Sequence, residues 1–330
     1  MACRAVCSTV PLIGVYMLGY ILKRILMTLP VMVVVALFVF LLLRLSPGDP
    51  AAVIAGDYAT AEDVARIREK LGLSQPIIVQ FWNWSLSLMQ GDLGTSIFSN
   101  KPVTALIAQR IEPTILLALS TIILSIAVAV PLGTIAAFRA GGWIDRTVML
   151  FSVGGFSVPV FVLGYILIYT FSLKLRWLPV QGYKSPFVEG IGPFLYHITL
   201  PSVTLSVIFI ALIARMTRAS VIEVLEEDYI RTARAKGQSE FKVLMRHALR
   251  NAAVPIVTVI GIGIALLIGG VVVTESVYNI PGLGRLVLDA VLARDYPIIQ
   301  GLILFFSFVY ILLNLLIDLT YTFLDPRIRY

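Results

Sequence analysis

Two histidines, His197 and His247, and two cysteines, Cys3 and Cys7, are the whole stock of imidazole and thiol groups in this 330-residue chain. Both cysteines fall in the first ten residues, without the downstream Cys or His partners that a zinc or redox site requires. No His-Glu-x-x-His pair, serine elbow or carboxylate cluster occurs inside an apolar run, so hydrolytic chemistry has no machinery here. A Gly-x-x-x-x-Gly-Lys-Ser/Thr loop is also missing, so the chain is not expected to cradle a nucleotide or hydrolyse ATP. His197 reads as a residue at an outer interface and His247 as a packed one. No catalytic residue, cofactor or metal is expected.

The charged residues that remain are concentrated between Arg215 and Asn251. Glu226, Glu227 and Asp228 precede Tyr229, Ile230, Arg231, Thr232, Ala233, Arg234, Ala235, Lys236 and Gly237, which reads as a short helix with acids at its positive end. Arg234 and Lys236 complement the negative end, and Gly237 suits the left-handed residue that stops it. Ser239 is placed to cap a second helix that carries Phe241, Leu244, Met245 and Ala248 on one face, with His247 beside them. The expectation is a helix–turn–helix knuckle, either a solvated loop or a docking surface.

The elements around this knuckle are apolar. The chain is 58% hydrophobic and only 14% charged, where soluble domains carry charge on roughly a quarter of their residues. A helix rising 1.5 Å per residue needs about 20 apolar residues to cross a bilayer core. Six segments qualify, near Ile25–Leu43, Thr114–Phe138, Thr147–Leu173, Phe194–Ala214, Ala252–Thr274 and Tyr296–Ile317, and none contains Asp, Glu, Lys or Arg. The expected fold is an all-α integral membrane protein of six transmembrane helices. The net charge of +7 sits in short clusters between these runs, which reads as topology rather than nucleic-acid binding. With the N-terminus inside, the inner connections hold fifteen Lys and Arg and the short outer ones five. The positive-inside rule therefore places both termini in the cytoplasm.

Residues 1–24 read as an N-terminal tail, with Met17 expected as the true initiator. Residues 44–113 form a long outer segment that is expected to be helical. Ala61–Leu71 has apolar residues at helical spacing with Gly72 as its C′ residue, and the aromatic-rich Ile77–Met89 suits a membrane interface. Residues 114–317 form the core, with its connection at 215–251, and residues 318–330 a cytoplasmic tail. Pro30, Pro131 and Pro159 punctuate the spans. Pro159, near Gly154, Gly155, Ser157 and Gly164, marks either a packed kink or the edge of a pathway. Gly261, Gly263, Gly269 and Gly270 permit close helix contact.

The run from Glu227 to Thr258, EDYIRTARAKGQSEFKVLMRHALRNAAVPIVT, resembles the cytoplasmic loop of ABC importer permeases of the dipeptide/oligopeptide/nickel family. The general importer pattern begins Glu-Ala-Ala and closes on Leu-Pro. Here Arg231-Thr232-Ala233 and Leu249-Arg250 stand in those places, as in the first-permease variant of the peptide branch, so no role of the missing Glu is carried over. Further landmarks are Pro47-Gly48-Asp49-Pro50, Gly91-Asp92-Leu93-Gly94, Pro179 to Tyr183, Glu275 to Gly301, and Leu324-Asp325-Pro326-Arg327. Singly these are turn motifs; in this order, at these distances from six spans, they are specific.

The resemblance implies a non-catalytic permease subunit that forms half of a pathway beside a second homologous permease. Two ATPase subunits and a substrate-binding protein would complete the assembly in a bacterial inner membrane. Glu227, Asp228, Tyr229, Arg231, Thr232, Ala233, Arg234, Lys236, Gly237 and His247 would dock on an ATPase. A secondary transporter is disfavoured because no ionisable residue lies in the middle of a span. The resemblance leaves peptides, nickel or another small solute as cargo, and scarce Cys and His favour peptides.

Overall fold

The computed structural model describes residues 26–41, 51–52, 60–70 and 74–324. The N-terminal tail with Met17, the Pro47–Pro50 landmark, Gly72 and the Asp325–Arg327 ending lie outside the described residues.

Helices make up 81% of the described chain, with one isolated bridge, Thr95 to Pro102. They are α1 (Leu26–Leu41), α2 (Ala61–Lys70), α3 (Ile77–Met89), α4 (Val103–Phe138), α5 (Trp143–Ser157) and α6 (Val160–Leu167), which ends in a π turn over Ile168–Lys174. Next come α7 (Ile191–Leu225), α8 (Asp228–Ala235), α9 (240–251), α10 (Ala253–Val277), α11 (Leu283–Ala293) and α12 (Tyr296–Leu324). Four helices, α4, α7, α10 and α12, are long and apolar enough to cross a membrane, and the bent pair α5–α6 makes a fifth candidate. The described part of the first expected span, α1, is apolar but shorter than these four helices.

Several boundaries differ from expectation. Helix α4 starts at Val103 rather than Thr114, because Arg110 and Glu112 find partners that let the helix continue into polar surroundings. Helix α7 runs to Leu225 rather than stopping at Ala214, so the connection expected from residue 215 begins as helix. Helix α12 continues to Leu324, past the expected end at Ile317. The third span is not continuous. Val158 and Pro159 are extended (ψ 122° and 138°), and α5 and α6 meet at 104°. Proline excludes the preceding residue from helical geometry, and the residues around it complete the break.

The chain divides into two compact units. In the first, Phe40 of α1 is buried under Phe81 and Trp84 of α3, with ring centroids 5.1 and 5.6 Å away. Gln300 donates through Nε2 to the Val39 carbonyl at 3.0 Å. In the second, α7 is the central helix: 67% of its apolar window is buried, against 22% and 28% for α4 and α10. Small residues bring the neighbours close. A Cβ on Gly133 of α4 would come within 2.5 Å of the Ala214 carbonyl, and one on Gly270 of α10 within 2.8 Å of Leu205 Cδ1. Gly263 packs similarly on Phe209, whereas Gly269 faces open space. Among the hydroxyls buried along α7, Thr204 Oγ1 bonds back to the Leu200 carbonyl and Ser206 Oγ to the Val203 carbonyl, each at 2.9 Å, whereas Ser202 Oγ and Thr217 Oγ1 have no hydrogen-bond partner among the described residues. Such bonds satisfy polar groups where water is excluded.

Candidate functional site

The knuckle follows directly from α7. After a two-residue turn, α8 begins at Asp228 with Glu227 at its N-cap, and neither acid makes a capping hydrogen bond through its side chain. They act through proximity to the positive end of the helix. Helix α8 stops where Gly237 takes φ +77°, with the Gly237 N–H donating to the Arg234 carbonyl (2.9 Å) and the Gln238 N–H to the Ala233 carbonyl (3.3 Å). These two bonds are the Schellman pair, which requires a left-handed C′ residue.

Arg234 holds the turn from the other side. Its Nε and Nη2 donate to the two oxygens of Glu240 at 2.9 and 3.2 Å, joining α8 to α9. Asn251 donates to the Tyr229 hydroxyl at 2.8 Å, and His247 Nε2 lies 3.3 Å from Gln238 Oε1. Arg231 is 3.5 Å from Asp228 on the outer surface. One residue of α8, Ile230, is fully buried, while Asp228, Tyr229, Arg231, Thr232, Arg234 and Lys236 stay exposed and Ala233 is half-buried. The structure thus brings all the expected site residues together on the knuckle, whose first helix is pinned by the buried Ile230.

Helix α9 departs from expectation. Ser239 occupies the N-cap position without a side-chain bond. Residues Val243–Ala248 form a π turn, so the fully buried positions are Val243 and Ala248, five apart; of the expected face Phe241, Leu244, Met245 and Ala248, Ala248 is buried and Leu244 packs half-buried on the same cluster, and the other two turn outward. Phe241 is 73% exposed and Met245 44%. Ala248 packs with Ala137 of α4, Val221 of α7, Ala252 and Ile256, which seats the knuckle on the ends of two long helices.

Four polar nodes were not anticipated by type or spacing. Glu275, fully buried at the end of α10, accepts from Thr114 Oγ1 at 2.6 Å and from the Arg285 N–H at 3.0 Å, and Thr114 in turn accepts from the Leu283 N–H at 2.8 Å. A carboxylate from one helix therefore caps the start of α11. The loop wraps it so closely that a Cβ on Gly282 would lie 2.1 Å from its Oε1. Asp295, also buried, accepts from Ser96 Oγ at 2.6 Å, tying the Gly91–Gly94 segment to the start of α12. Asp145 of α5 accepts a forked pair from Arg218 of α7. The Pro179–Tyr183 segment is held by the Tyr183 hydroxyl donating to Glu112 at 2.8 Å, and burial beside that carboxylate pushes the Tyr183 phenol well above its ordinary range. An acid directly abutting an apolar run is the signal that could have flagged Glu275, whereas Asp145 and Arg218 lie a few residues outside their runs and carry no such mark.

Long apolar helices, one of them broken, and a folded polar knuckle between two of them define a membrane-embedded transport component. Residues 129–330 match the family described as binding-protein-dependent transport system inner membrane components, and residues 17–118 match its N-terminal region. A probable peptide ABC transporter permease of Sinorhizobium fredii is 58% identical over 94% of this chain and 99% of that protein. The glutathione transport system permease protein of Salmonella typhimurium is 46% identical over 95% and 100%. An inward-facing structure of the MetNI methionine ABC transporter covers 67% of this chain and 97% of its own with a TM-score of 0.57 at 16% identity, a likeness of fold. The chain belongs to the family of binding-protein-dependent transport system inner membrane components, and is a permease of an ABC import system.

Proposed function

We propose that the chain is one of two homologous permeases in an ATP-driven importer of di- or oligopeptides, with six transmembrane helices and both termini in the cytoplasm. The observation that carries this reading is the knuckle: an exposed, internally braced projection anchored by Ile230 and seated on α4 and α7. Two ATPase subunits hydrolyse ATP, and one of them grips the face formed by Glu227, Asp228, Tyr229, Arg231, Thr232 and Lys236. Their closure pushes the knuckle and reshapes the pathway between the permeases, as two-state coupling requires. A soluble binding protein delivers cargo to the opposite face, the side of the membrane to which residues 44–113 belong. The names of the relatives support peptides as cargo.

The test is Asp228→Arg combined with Arg231→Glu. Both side chains are exposed, and surface pairs contribute little to stability. The permease is expected to insert and fold normally while co-purification of the ATPase and uptake of a labelled dipeptide are lost. Normal assembly and uptake in that variant would show the knuckle to be only a solvated loop.

A further inference from the structure

Asp145 and Arg218 form an ion pair that the docking surface does not use. Asp145 sits in the first turn of α5 and is 3% exposed. Its Oδ1 accepts from Arg218 Nε, and its Oδ2 accepts from Arg218 Nη2 at 2.6 Å and from the Gly141 N–H at 2.8 Å. Three acceptor positions of the carboxylate are therefore taken by donors of fixed direction. A planar fork on a carboxylate is geometrically selective, and it cannot slide the way apolar side chains do.

The placement gives the pair its meaning. Arg218 is part of the same unbroken helix that ends at Leu225 and leads into the knuckle, about 10 Å of helix away. Farther along, α5 meets α7 at Gly155, where a Cβ would come to 3.3 Å from Val207 and Ala211, and at Phe156, whose ring lies 5.6 Å from the Arg215 guanidinium, contacts without the fixed direction of the fork. The remaining sides of α5 are open: Leu150, Phe151 and Val153 are 53–73% exposed. Beyond Ser157 the chain breaks at Val158 and Pro159 and turns through 104° into α6. Helix α5 is thus a rod with a directional fastening at one end and an extended joint at the other.

We propose that the Asp145–Arg218 pair makes α5 move with α7, so that displacement of the knuckle passes to α5 and is taken up at the Val158–Pro159 joint. This rests on the reading of the knuckle as the receiver of ATPase motion. Both residues are positioning residues, acting through the helices they join. Ion pairs removed from water specify geometry more than they add stability, which suits a fastening that must hold while its surroundings rearrange.

The experiment uses the assembled transporter, with Cys3 and Cys7 replaced by Ser, and spin labels on exposed sites. The label pairs are Leu150→Cys with Glu223→Cys, Leu150→Cys with Tyr169→Cys, and Phe241→Cys with Tyr169→Cys, Phe241 being an exposed knuckle residue outside the gripped face. Distances are compared between the nucleotide-free and the ATP–vanadate-trapped states. The 150–223 distance is expected to stay constant, while the 150–169 and 241–169 distances change by a few ångström, the scale of helix shifts in switching proteins. In Arg218→Gln and in Asp145→Asn the 150–223 distance becomes broad and state-dependent while the 241–169 change persists. Exchanging the charges, Asp145→Arg with Arg218→Asp, restores the constant distance. A native 150–169 distance that ignores the nucleotide, or neutral variants whose 150–223 distance stays constant, overturns the proposal. If the neutral variants fail to assemble, the native pairs and the charge exchange decide it. A native 241–169 distance that never changes would sink instead the reading of the knuckle on which this rests.

Discussion

Gly282→Ala should be far more damaging than a one-carbon change suggests. The added Cβ would lie 2.1 Å from Glu275 Oε1, 2.2 Å from its Cδ and 2.4 Å from Oε2, so the whole carboxylate must leave its place. Forced displacement in a packed interior costs about 1–3 kcal/mol, and each donor deprived of a carboxylate about 1.5–3 kcal/mol. Two donors, the Thr114 hydroxyl and the Arg285 N–H, depend on that carboxylate. If one is lost, the sum is about 2.5–6 kcal/mol. Gly237→Ala is the control, since its φ is +77° with nothing within 4 Å of the added carbon, and it costs only the left-handed backbone penalty of about 1–2 kcal/mol. Membrane complexes denature irreversibly, so the assay is the half-life of the detergent-solubilised transporter at fixed temperature, followed by size exclusion. Gly282→Ala is expected to shorten it at least about tenfold, because each 1.4 kcal/mol expressed in the barrier is a factor of ten in rate. Adding Glu275→Ala should make it no worse, since the carboxylate that clashes is then gone. Equal half-lives for Gly282→Ala and Gly237→Ala, or additive effects in the double variant, would refute the reasoning.

Ser96→Ala removes one of the donors to buried Asp295, and should lower stability by about 1.5–3 kcal/mol; Ser96→Thr, which keeps a hydroxyl, should be milder in the same half-life assay. Ile230→Asp should release the knuckle and abolish ATPase co-purification, while Phe241→Ser, at a 73% exposed site, should leave the permease's own half-life unchanged. Tyr183 carries a pH prediction. Its phenol is raised above the ordinary 10.0 in the folded chain, so its contribution to stability is complete below pH 10 and is lost as pH rises above it. Tyr183→Phe should flatten the alkaline arm of half-life against pH, and an unchanged arm would show that the bond to Glu112 carries no such linkage.

The residues around the knuckle show how far the sequence reached. Its first half was legible because charge order, helical spacing and a stop glycine each speak about neighbours a few positions away, and Gly237 takes the left-handed backbone those neighbours demand. Its second half was misread because periodicity assumes 3.6 residues per turn. The π turn over Val243–Ala248 moves the buried face to positions five apart, and the packing of Ala248 on Ala137, Val221 and Ile256 selects that register.

Most of the apolar crossings were determined by composition alone, because hydrophobic length is a local property that lipid reads directly. Family membership was equally legible, carried by the order and spacing of short motifs. What those motifs do was decided only in three dimensions. Ser96 meets Asp295 across 199 positions and Thr114 meets Glu275 across 161, and a turn motif holds no information about a partner that distant. The same is true of Asp145 and Arg218, two charges near the edges of separate apolar runs that become one ion pair, its carboxylate buried, only when α5 lies along α7. A charge next to an apolar run has two ways to be satisfied, water or a fixed counter-charge, and tertiary packing alone chooses between them.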